Sequence, residues 1–120
     1  MRDQPTGLEL ADLVQRIEDG DSAVEVPDDK RYRDLMLASA LAIAERQQEF
    51  GDAPEGRERD RLISILDKDG ALAELNQDFA QVIRDGKFDP GTTQFASVRE
   101  HLWQTALDRV RESNPKVLKG

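Results

Sequence analysis

Side chains able to do chemistry are few in this 120-residue chain, and they do not gather. His101 is the single histidine, so an imidazole metal site within one chain stops at one ligand. It stands between Glu100 and Leu102 on a segment of helical periodicity, where a partly buried helix histidine is the ordinary expectation. The absence of cysteine removes a disulfide framework, a thiolate metal site and a thiol nucleophile. Ser22, Ser39, Ser64, Ser97 and Ser113 have no histidine or lysine placed to activate them. The acidic stretches "DKDG" (67–70) and "RDGKFDPG" (84–91) lack the ligand alternation and twelfth-position glutamate of a calcium-binding EF-hand loop, and read as helix ends. The Glu-x-x-His repeat of di-iron bundles is missing. In "GRERDR" (56–61), Arg57, Arg59 and Arg61 could meet a phosphate, but Glu58 and Asp60 neutralise them, so a solvated, salt-bridged helix face is expected. The residues therefore predict no catalytic centre, no metal site and no cofactor.

Composition narrows the setting further. Lysine and arginine number 17 against 25 aspartates and glutamates, a net charge of −8. Such a balance repels phosphate backbones and anionic lipid, which argues against nucleic-acid and membrane-surface roles. The start, "MRDQPTGLEL", has no signal-peptide apolar run, and no stretch approaches the roughly 20 apolar residues of a membrane span. A cytoplasmic protein is expected. With 38% apolar and 35% charged residues, the chain is expected to form one modest core within a single domain over residues 1–120.

The elements that must carry these residues are helical. Thr6 and Glu9 have the spacing of a capping box, Leu10, Leu13, Val14 and Ile17 share a face, and Gly20 stops the first helix. A polar connection over 19–30 follows, with Val24 and Val26 pinning it around Pro27. The second helix should begin near Asp28 or Asp29 and run to Phe50, before Gly51. Pro54 suits the first turn of a third helix, 54–68, with Leu62, Ile63 and Leu66 as its apolar face. A fourth, 71–85, carries Leu72, Leu75, Phe79, Val82 and Ile83 at helical spacing. A fifth, from Thr92 to Ser113, carries Phe95, Val98, Leu102, Ala106 and Val110, and Pro115 ends it. The final "PKVLKG" is expected to fray unless Val117 and Leu118 dock on a groove.

The fold class predicted is all-α: a single-domain bundle of about five helices. Within the second helix "LMLASALAIA" (35–44) is apolar on every side except at Ser39. Such a helix must be covered on most sides, which makes it the central Ala/Leu-rich helix of the bundle or places another chain against it.

Three blocks in order carry a resemblance: "ASALAIAERQQEFG" (38–51), "LNQDFAQVIRDGKFD" (75–89) and "VREHLWQTALDRVRESNPKVL" (98–118). Together they resemble a DUF6285-like family of small, uncharacterised bacterial proteins, encoded beside kinases of aminoglycoside-phosphotransferase fold and acyl-CoA dehydrogenases. Ala38, Leu41, Ile43 and Arg46 fit the first block, although Ser39 stands where the family usually has asparagine. Leu75, Asn76, Ile83, Arg84, Gly86 and Asp89 fit the second, and Val98, Arg99, Leu107, Val110, Asn114 and Pro115 the third. The likeness spans residues 32–118.

This resemblance implies a non-catalytic accessory subunit, stabilising an aminoglycoside-phosphotransferase-like kinase that acts on a hydroxyacyl-CoA or another small hydroxylated metabolite. Asn76, Arg84 and Arg99 are then candidate partner-binding residues; otherwise Asn76 is solvated, Arg84 belongs to a helix end and Asn114 is a cap before Pro115. Two further readings stand beside it. One is a homodimeric scaffold joined through the apolar helix. The other is a ligand-binding bundle with Trp103 and Tyr32 lining a pocket.

Overall fold

The computed structural model describes residues 1–20 and 29–119, so the expected pinning of the connection by Val24 and Val26 lies outside the described residues. Helix α1 (Gly7–Glu18) starts at Thr6, whose hydroxyl accepts from the Glu9 N–H at 3.4 Å and donates to the Glu9 carboxylate at 3.1 Å. Helix α2 (Lys30–Phe50) starts at Asp29, whose carboxylate accepts from the Tyr32 N–H at 3.0 Å. It ends at Gly51, where φ of +60° turns the chain as few other residues can. Helix α3 (Ala53–Leu66) has Pro54 in its first turn, and α4 (Leu72–Arg84) follows a short polar turn. Helix α5 (Phe95–Ser113) begins three residues later than Thr92. Thr92 closes the preceding turn instead, with its hydroxyl donating to the Asp89 carbonyl at 2.9 Å. A 3-10 turn, Pro115–Lys119, follows α5, and Val117 and Leu118 are both exposed on it rather than docked on a groove.

The fold is all-α, with five helices and no strand among the described residues. No helix among them is long and apolar enough to cross a membrane. The helices sort into two lobes. In the first, α1 lies along α2 as a helical hairpin. Gly7 permits the close approach: its N–H donates to the Gln47 side chain at 2.7 Å, and a Cβ there would sit 3.1 Å from the Ala44 Cα. In the second, α4 and α5 both pack on α3. Leu62 and Leu75 are fully buried there, with Phe79 and Val98 beside them and Ile63, Ile65, Leu66, Leu72 and Phe88 around.

The expected central position of the Ala/Leu-rich helix is not what the structure has. No residue of α2 is buried, and Leu35 is 61% exposed. The helix in the middle is α3. Apolar periodicity registers how much of a helix avoids water but carries nothing about which neighbours do the covering, and here α1 covers one side only. The molecule is correspondingly open, with a radius of gyration of 18.0 Å. A compact chain of this length would have about 14 Å.

Polar contacts join the lobes. The Arg46 guanidinium of α2 donates to the Glu112 and Ser113 carbonyls at the end of α5, the latter at 3.3 Å. Arg2 reaches the buried Glu112 carboxylate at 2.7 Å and the Gly51 carbonyl between α2 and α3. That carboxylate holds the Arg2 guanidinium still more firmly in its charged form, raising its pKa.

Candidate functional site

Helix α5 has two dissimilar faces, and together they define what this protein offers to other molecules. Val98, His101, Thr105, Asp108 and Glu112 recur at steps of three and four and turn inward. On this inner face the Arg61 Nε donates to His101 Nδ1 at 2.9 Å, and its Nη2 donates to Thr105 at 3.2 Å. The His101 ring meets Phe79 edge-on, with centroids 5.2 Å apart. Burial first, and the Arg61 charge second, push the His101 pKa below its ordinary value. The imidazole is thus a neutral acceptor at Nδ1, with that lone pair already engaged by Arg61. Further along the seam, Glu58 is buried, accepts from the Asn76 amide at 3.1 Å and pairs with the Met1 ammonium.

The expectation for "GRERDR" is corrected by this seam. Glu58 and Arg61 turn inward, Arg57 pairs with Asp108 of α5 at 3.5 Å, and Arg59 pairs with Asp69 at 2.6 Å. The run joins elements instead of forming one solvated face. Alternating charges are compatible with either outcome, because the sequence does not specify which charges meet complementary ones on another helix.

The outer face of α5 carries most of the apolar stripe read from the sequence, and it is left open. Phe95, Leu102, Trp103 and Ala106 line a groove of about 960 Å³ that is closed on its other side by Ile83, Phe88 and Pro90. Leu102 is 50% exposed and Trp103 60%. Asp89, Arg99 and Glu100 are the charged residues of the lining. The groove exists because α4 and α5 both lean on α3 and leave space between themselves. An open aromatic and aliphatic trough with a few charges is suited to holding another apolar surface.

The three residues proposed for partner binding do not form one site. Arg99 lines the groove. Arg84 is exposed at the end of α4 just past Ile83, with its guanidinium donating to Gln81 at 3.5 Å. Asn76 faces the other way, onto Glu58 of α3 and the Leu72 carbonyl at 3.2 Å. Trp103 and Tyr32 share no pocket: Trp103 lines the groove, and Tyr32 is exposed on α2. Among the described residues no three acidic or histidine side chains gather as a metal site would require. Missing from the sequence reading was the inward polar stripe of α5, although its period was there to be seen.

The family model described as Domain of unknown function (DUF6285) matches residues 23–117. The chain belongs to the DUF6285 family. The DUF6285 match takes in α2 to α5 and the whole groove, and it leaves α1 outside. No curated protein and no solved structure matches the chain.

Proposed function

We propose that this protein is a non-catalytic accessory subunit that docks on a kinase of aminoglycoside-phosphotransferase fold through the groove between α4 and α5. The observation that carries the docking reading is the orientation of α5. Its polar stripe faces its own lobe, while Leu102 and Trp103, 50% and 60% exposed, face solvent along the groove. Leaving large apolar side chains open along a trough of this size has a physical rationale when a partner covers them. The kinase is the partner implied by the likeness of the three blocks within residues 32–118, and the small hydroxylated metabolite or hydroxyacyl-CoA is that kinase's substrate. Arg99 would give the docked surface an ionic anchor, and Arg84 lies close enough in sequence to extend it. Asn76 enters this reading through α3, by holding Glu58.

The test is co-expression with the kinase expected beside it, followed by size exclusion with mass detection. A co-eluting complex that Trp103→Asp abolishes, with helicity and melting temperature retained, supports the reading. Separate elution of the two wild-type proteins rejects it. A Trp103 fluorescence response to an added metabolite, without complex formation, would instead favour a ligand-binding bundle.

A further inference from the structure

The groove leaves a second open surface unaccounted for, on α2. Its residues Arg33, Leu37, Ala40, Ala44 and Gln47 are partly covered, the last two by the α1 entry at Gly7. On another face, Arg31, Leu35, Ala38, Ala42, Glu45 and Glu49 recur at alternating steps of four and three. Five of these six are exposed, Leu35 at 61%, and Ala42 is partly so. Steps of four and three are the seam that one helix presents to another in a paired bundle.

From this we infer that the α2 face is occupied by the α2 of a second copy, running antiparallel. The charge pattern selects that occupant. A two-fold axis near residue 40 places Ala38 against Ala42, Leu35 against Glu45 and Arg31 against Glu49, each twice. The small centre and the oppositely charged ends of the patch are therefore complementary to themselves, as an isologous contact demands. A different protein would impose no such symmetry on the two ends of one helix. None of Arg31, Glu45 and Glu49 has an ion-pair partner among the described residues. Alanines at the centre let the two backbones come close, at the short end of the 8–10 Å usual between packed helices. Because α1 lies on the opposite side of α2 from this seam, two hairpins joined in this way set the helices in a row, α1 and α2 of one copy followed by α2 and α1 of the other.

The full-length protein alone, on size exclusion with mass detection over a dilution series, decides this. The expected mass is twice 13.5 kDa. Arg31→Glu and Glu49→Arg each raise the dimer dissociation constant by about tenfold or more, and the two together bring it back. Far-UV circular dichroism confirms that each variant keeps its helices. A wild-type monomer at every concentration overturns the inference and leaves α2 for another protein. So does a dimer that ignores both single reversals, since the copies then meet elsewhere. Failure of the double reversal to restore pairing overturns the antiparallel register.

Discussion

The two lobes are built from similar amphipathic helices and end in opposite states. Around α3, the apolar face of α4 and Val98 of α5 converge, and Leu62, Leu75, Phe79 and Val98 are sealed from water. In the α1–α2 hairpin only Gly7 and Val14 are buried, although α2 holds the most apolar stretch of the chain. Three helices can surround a point, whereas two can cover only the strip between them. Apolar content by itself therefore does not make a core; the number of neighbours does.

Truncating each lobe should expose that difference. Leu75→Ala opens a cavity where nothing can relax freely, and a loss of about 2–5 kcal/mol in denaturant unfolding is expected. Leu62→Ala should match it. Equal and small losses from these two would mean that the α3 lobe is no better packed than the hairpin. The next effect in size concerns the join. Arg2→Ala leaves the Glu112 carboxylate, 5% exposed, without its guanidinium, and should lower stability by about 1–3 kcal/mol. Small-angle scattering of that variant should also show a radius of gyration above 18.0 Å as the lobes part. An unchanged radius would assign the join to Arg46 alone.

A smaller effect lies in the pH dependence of the α3 lobe. Native His101 resists protonation, while in the unfolded chain it titrates near its ordinary 6.5. Below that pH the unfolded state gains a proton that the native state declines. Stability is then full above about 6.5 and falls as the pH drops towards the lowered native value. His101→Gln should flatten this part of the curve, as measured by melting temperature against pH. Least affected of all should be Leu8→Ala in α1, with a change under about 0.5 kcal/mol at a side chain 86% exposed.

Much of the architecture was legible in the sequence. Caps at Thr6 and Asp29, the stop at Gly51 and the entry at Pro54 are local chemistry, decided by residues within a few positions of one another. The placement of α2 was not legible, because coverage depends on segments far away in sequence. Helix α5 was half legible. Its apolar stripe was legible, but not that Val98 would turn into the core while Leu102 and Ala106 stay open, since His101, Thr105, Asp108 and Glu112 find partners on α3 and near Met1 and Arg2 that no local pattern announces. The groove follows from that division. Of the three candidate binding residues, Arg99 lies on it by virtue of its place on the outer face, and Asn76 was drawn inward by Glu58.

The bond between Arg2 and Glu112 also bears on the order of events in time. It spans 110 positions, the widest separation of any side-chain pair among the described residues. Its two ends are brought together only once the segments between them have been arranged. A contact of that separation is expected to form after the transition state for folding, because loop closure opposes it until both lobes exist. Weakening it should leave the rate of folding nearly as it was and hasten unfolding, which makes Arg2 a determinant of how long the folded molecule lasts.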